Sequence, residues 1–270
     1  MMIFTWKKVQ RLLLLLFAFS VVIGVSLHST SAISEEVAQA SGSKPAIVLV
    51  HGTSADATSW QHVISLLQRD GYIVTAVQNP LTSLPDDIAT TKRTIDAQQG
   101  PVVVVGHSYG GNVITAAAVG NPQVKALIYI SGFAPEPGES ISQLNSRYAP
   151  PPVSTALVAD TADFLYVDRE KFPEVFAKDV APAEAQVLAV TQKPAAKTVF
   201  DQSVESAAWQ TIPSWYLVTG EDQAINPELQ RFMANRIGAK TTEIQASHLS
   251  YISHPREIAN LIIEAASAVE

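Results

Sequence analysis

Four short apolar runs rich in β-branched residues constrain this chain more than any other feature: AIVLV at 46–50, YIVTAV at 72–77, PVVVVG at 101–106 and VKALIYIS at 124–131. A strand that is apolar on both faces must be covered on both, and intervening helices give that cover when neighbouring strands run parallel. The connecting stretches read accordingly. Trp60, Val63, Ile64 and Leu67 recur at helical spacing until Gly71 ends the pattern. Ser83, Pro85, Asp86 and Asp87 mark a helix start and predict a helix over 84–98, and NVITAAAV at 112–119 predicts another. The alternation resumes after residue 212 with SWYLVTG at 214–220, a helix from Pro227 to Ile237 closed by Gly238, TTEIQA at 241–246, and a last helix opened by Pro255. The expected fold is α/β, with about six mostly parallel strands covered by helices on both faces.

Between about 133 and 212 this rhythm breaks. Pro135, Pro137, Pro150, Pro151, Pro152, Pro173, Pro182 and Pro194 interrupt short amphipathic stretches, which predicts an insertion of small helices lying as a lid over one end of the sheet. At the other end of the chain, Lys7, Lys8 and Arg11 precede an apolar run from Leu12 to Val25, followed by small residues at Thr30 and Ala32. That order is the order of a secretory signal, with cleavage expected after Ala32. The run is shorter than the roughly 20 residues needed to span a bilayer. The expected organisation is a signal peptide over 1–32, a flexible leader over 33–44 and one domain over 45–270. The expected product is secreted or periplasmic and keeps no stable membrane association after cleavage. With no cysteine in the chain, disulfides, thiolate metal sites and a cysteine nucleophile are excluded. The formal charge of −7 becomes −10 once the three cations of residues 1–32 are removed, which argues against nucleic acid as a partner.

At the end of the third run begins the most informative pentapeptide, GHSYG at 106–110. A lone G-x-S-x-G is weak evidence. Here it sits where a buried strand turns sharply into a helix, the context of a nucleophile elbow, in which glycines on either side of the serine relieve clashes with the neighbouring strand and helix. Ser108 is therefore the candidate nucleophile, and it needs a base within hydrogen-bond reach. The exported chain offers His51, His62, His107, His248 and His254. His62 lies within a helix, His107 precedes the serine directly, His51 braces the loop after the first strand, and His254 opens the last helix. His248, after the last strand in QASHLS, falls at the sheet end where open α/β sheets place their sites, and it is the candidate base. An acid must then fix the imidazole. Glu221 and Asp222 both follow the strand SWYLVTG; Asp222 is preferred, and Asp160, Asp163, Asp168 and Asp179 in the insertion read as solvated charge. Oxyanion donors are expected from the backbone of Tyr109, after the nucleophile, and of Thr53, in the loop after the first strand.

Together VLVHGTSADATSW, VVVVGHSYGGN, VTGEDQAINPELQRF and ASHLSYISHP resemble the α/β-hydrolase fold, and within it the branch of plant methyl esterases, hydroxynitrile lyases and their bacterial relatives. The resemblance covers residues 45–270 apart from the insertion, where it is architectural only. It implies a serine hydrolase that cleaves carboxylic esters of small molecules through an acyl-enzyme, without cofactor or metal. Lyase members carry a lysine directly after the catalytic histidine, whereas this chain has Leu249, which disfavours lyase chemistry. The insertion would supply an apolar pocket, with Phe133, Phe164, Tyr166, Phe172, Phe176 and Trp209 as candidate lining. Amide or lactone hydrolysis and perhydrolysis use the same residues and stay open, as does a non-catalytic small-molecule-binding relative.

Overall fold

A computed structural model describes residues 44–269. The expected signal over 1–32 and the leader over 33–44, Lys44 excepted, lie outside the described residues. In the described part, six strands form one sheet: β1 (Ala46–Val50), β2 (Val74–Val77), β3 (Val102–His107), β4 (Val124–Ile130), β8 (Ser214–Thr219) and β9 (Lys240–Ile244). Their order is β2-β1-β3-β4-β8-β9, and every neighbouring pair is parallel. All six carboxyl ends therefore lie along one rim.

Period-two alternation splits β1 to β4 and β8 between two cores. Val103 and Val105 of β3, with Ile47, Leu49 and Ile128, pack against helix α1 (Gln61–Arg69) and helix α9 (Pro255–Ser267) through Val63, Leu67, Ile258 and Ile262. Val102 and Val104, with Val48, Val50 and Leu127, pack on the other face against α2 (Leu84–Asp96), α3 (Tyr109–Ala117) and α7 (Pro227–Arg236) through Ile95, Val113, Ile114, Leu229 and Met233. Burying each such side chain stabilises the fold by about 1.5–3 kcal/mol. Ser83 caps α2 by accepting from the Asp86 N–H, as the sequence predicts. At the edge, β9 exposes most of its residues, which explains its polar composition, Lys-Thr-Thr-Glu.

The insertion differs from the sequence expectation in one respect. It contains the expected short helices, α4 (Ile141–Asn145), α5 (Phe172–Val175) and α6 (Pro182–Val190), and α4 opens with a capping box between Ser140 and Gln143. It also carries a three-stranded antiparallel sheet of β5 (Leu157–Ala159), β6 (Phe164–Val167) and β7 (Ala195–Ala196). Asp160 folds the β5–β6 hairpin: its Oδ1 accepts from the N–H groups of Ala162 and Phe164, and Asp163 takes a positive φ of 60°. A short helix, α8 (Ser250–Ser253), joins the loop after β9 to α9. Among the described residues, no helix is long and apolar enough to cross a membrane.

Candidate active site

The turn after β3 is tighter than the sequence suggests. The strand runs to His107 and α3 begins at Tyr109, three residues before the predicted start, so Ser108 alone makes the corner, with φ 54° and ψ −123°. A non-glycine residue held at positive φ costs about 1–3 kcal/mol and persists only where its surroundings fix it. They do so here through backbone. The Ser108 N–H donates to Ile130 O, and the Ser108 carbonyl accepts from Gly111 N–H and Phe133 N–H, both at 3.0 Å. A Cβ at Gly106 would sit 2.6 Å from the Gly110 carbonyl oxygen, and one at Gly110 would sit 2.4 Å from Val50 O, so both flanking positions require glycine. The Tyr109 N–H is the first of α3 and has no partner within the helix. Its side chain points into the core, where the phenol donates to buried Asp87 at 2.6 Å.

The loop after β1 crosses the serine at contact distance. A Cβ at Gly52 would lie 2.7 Å from Ser108 Cβ and 3.2 Å from its Oγ, and Thr53 follows directly, lining the same cavity as Ser108. His51 braces this loop, as its sequence position suggested. Its Nδ1–H donates to Gly52 O at 2.8 Å, and its Nε2 accepts the Asn79 N–H at 3.1 Å. Burial is the main reason its pKa falls to about 4, so it is neutral at physiological pH.

His248 Nδ1 bonds Asp222 Oδ2 at 2.8 Å, with both side chains fully buried. Asp222 is itself held by four more donors. Thr219 Oγ1 and Gln230 Nε2 reach Oδ2 at 2.9 and 2.8 Å, while the N–H groups of Ala224 and Ile225 reach Oδ1 at 2.7 and 2.9 Å. Neither Thr219 nor Gln230 was singled out in the sequence; only folding brings them to the carboxylate. Glu221 points outward, half exposed, 3.8 Å from Lys178. The His248 ring packs edge-on against Phe176, with centroids 4.7 Å apart, and at a tilt against His107 at 4.6 Å. His107 Nε2–H donates to the His248 carbonyl at 2.9 Å, and burial drives the His107 pKa well below its ordinary value, so it acts as a neutral strut. His248 Nε2 is buried without a hydrogen-bond partner, and His248 lines one cavity with Ser108 and Thr53. No hydrogen bond joins it to the Ser108 hydroxyl in this structure; such bonds tighten when substrate is bound. His62 lies at the surface on Glu184, and His254 bonds Ser253 Oγ.

The cavity measures about 260 Å³ and is walled mainly by apolar side chains. Phe133 and Phe176 line it. Phe164 and Tyr166 do not; Leu165 and Val167 do. Alternate residues of β6 face opposite ways, so the larger aromatics are turned out of the cavity and the aliphatic pair into it. Trp209 is also elsewhere. Its indole N–H donates to Pro135 O at 2.9 Å, and its ring packs against the core behind the cavity wall. Phe172 is buried behind Phe176, 5.3 Å away. Asp179 is a further correction. It is not simply solvated charge: its two carboxylate oxygens accept the N–H and hydroxyl of Ser247, the residue before His248. No local signal marks that contact, which spans 68 positions of sequence.

Comparison with known proteins adds a family context. A family model described as "Alpha/beta hydrolase family" matches residues 47–261. The chain is 28% identical to the alpha/beta hydrolase nvfD of Aspergillus novofumigatus over 83% of its length and 97% of that protein. It is also 28% identical to methylesterase 7 of Arabidopsis thaliana, covering 81% of this chain and 95% of the relative. Among solved structures, a pyrethroid hydrolase from Sphingobium faniae JZ-2 superposes with a TM-score of 0.71 at 22% identity, over 83% of this chain and 98% of the other. At that identity the likeness concerns the fold.

Proposed function

The chain belongs to the alpha/beta hydrolase family, and from that membership we propose that it is a serine hydrolase cleaving carboxylic esters of small molecules. The observation that carries this reading is the buried His248–Asp222 pair opening onto the same cavity as a serine in a strained strand-to-helix corner. Ser108 Oγ attacks the ester carbonyl carbon while His248 Nε2, the free nitrogen of the ring, takes its proton. Asp222 holds the ring through Nδ1 and stabilises the imidazolium. The carbonyl oxygen becomes an oxyanion within reach of the Thr53 and Tyr109 N–H groups, where α3 adds its N-terminal dipole. His248 then protonates the departing alcohol, and water, activated by the same imidazole, releases the acid and restores Ser108.

An ester suits this cavity because much of its wall is apolar, with Phe133, Phe176, Leu165, Val167, Ala224 and Ile225 beside Ser108, while Lys197 and Asp201 are the charged residues that line it. The esterase names among the relatives support the same class. The signal-like residues 1–32 support placing the enzyme outside the cytoplasm, either secreted or periplasmic. The test is direct. Purified protein should hydrolyse short p-nitrophenyl esters, and Ser108→Ala should lose turnover by about 10⁴-fold or more with an unchanged circular dichroism spectrum. Wild-type turnover in that variant would refute the mechanism.

A further inference from the structure

We propose that Asp179 is a positioning residue for the base, so that the insertion fixes where the imidazole of His248 stands. The inference rests on the role given to His248 above. His248 lies in a loop between β9 and α8, outside any strand or long helix. The peptides on both sides of it are held by one turn of the insertion, residues 176–179. On the near side, Asp179 Oδ2 accepts the Ser247 N–H at 2.9 Å and Oδ1 accepts the Ser247 hydroxyl. On the far side, the Leu249 N–H donates to Phe176 O at 3.2 Å. The Phe176 ring then meets the His248 ring itself.

Asp179 is well suited to this work. Its side chain is 26% exposed, Ser247 is buried, and both carboxylate oxygens are engaged by a single residue. Hydrogen bonds to a carboxylate are shorter and roughly twice as strong as neutral ones. The same short turn reaches the other catalytic loop, since Lys178 lies 3.8 Å from Glu221, next to Asp222; that pair is half exposed and contributes little. His254 Nδ1, 3.5 Å from Asp179 Oδ2, is the one further charged or titratable group paired with Asp179 among the described residues. With the Asp179 bonds gone, the loop keeps the Leu249 and His107 contacts but loses its anchor one residue before the imidazole. A displacement of about 1 Å at a catalytic group lowers turnover by up to about 10²-fold.

The experiment compares Asp179→Ala, Asp179→Asn and Ser247→Ala on p-nitrophenyl acetate, with active sites titrated by a fluorophosphonate so that misfolded molecules are not counted; Ser108→Ala, which has no hydroxyl to titrate, is assayed beside them per mole of protein. Asp179→Ala is expected to lower kcat per titrated site by about tenfold or more with KM changed by less than about twofold. Asp179→Asn should recover most of the loss, because its amide oxygen still accepts the Ser247 N–H and its NH₂ can donate to the hydroxyl. Ser247→Ala, which keeps its N–H, should fall between. A purely structural role would instead lower the titratable fraction and leave kcat per site unchanged, which would overturn the proposal; so would an Asp179→Asn no better than Asp179→Ala. If Asp179→Ala does not fold, wild-type kcat per site in Ser247→Ala overturns it. Turnover retained in Ser108→Ala would instead strike the reading of the site, a result separable from the Asp179 series.

Discussion

The stability of the loop over Ser108 should depend on pH through His51. In the folded chain, Nδ1–H donates to Gly52 O and Nε2 accepts from Asn79 N–H. A second proton would turn Nε2 into a donor facing another donor, in a place stripped of the water that would solvate the cation. Burial lowers the pKa from 6.5 to about 4, and Lys193 works in the same direction; the Gly52 bond and Asp56 oppose it more weakly. The unfolded chain takes up the proton near pH 6.5, whereas the folded chain takes it up only near 4. His51 therefore contributes its full stabilisation above pH 6.5 and loses it as pH falls through that window. At 1.36 kcal/mol per pH unit, the loss is about 3 kcal/mol by pH 4. Urea unfolding followed by tryptophan fluorescence, from about pH 7.5 to about pH 4, should show this loss in the wild type. His51→Gln keeps an acceptor for Asn79 but cannot titrate, and His107 is common to both proteins. The difference between the two stability curves should change by about 3 kcal/mol across the window. Curves parallel to within about 0.5 kcal/mol would refute the assignment of His51 as a buried neutral brace.

Further outcomes follow from the same geometry. Gly52→Ala puts a methyl 2.7 Å from Ser108 Cβ, so esterase activity should fall by about 10²-fold or more while the fold survives a cost of about 1–3 kcal/mol, read by kinetics and melting temperature. Asp222→Asn sets an NH₂ against existing donors in either orientation and should lower kcat by about 10³–10⁴-fold; Glu221→Gln should stay within about twofold, and the reverse ranking would move the acid to Glu221. Val167→Trp should fill the cavity and reduce kcat/KM for longer acyl esters by about tenfold, whereas Tyr166→Ala, on the other face of β6, should change it by less than about twofold.

Legibility differed by element for physical reasons. The central strands were plain because a strand buried on both faces must be apolar throughout, and the run Val102–Val105 can be little else. The sequence pattern predicts the start of α3 at Asn112, after the glycine pair, whereas the helix begins at Tyr109. Gly110 and Gly111 serve close approach, Gly111 lying against Phe133 backbone, and the helix absorbs them. The β5–β6 hairpin leaves no readable pattern in the sequence because its strands are only three and four residues long, too short to establish a period.

What the sequence by itself determined is the order of chemistry along the chain: a serine at the end of one apolar run, acids after another, a histidine after the last, with glycines where backbone must pass close. Those are local facts, fixed by burial and by steric limits on the turn. Tertiary structure alone set Asp222 rather than Glu221 against His248, turned Leu165 rather than Phe164 toward the cavity, and set Asp179 against Ser247. Each depends on which way a side chain leaves its backbone and on contacts between distant segments, and neighbouring residues carry no trace of either until the sheet is assembled.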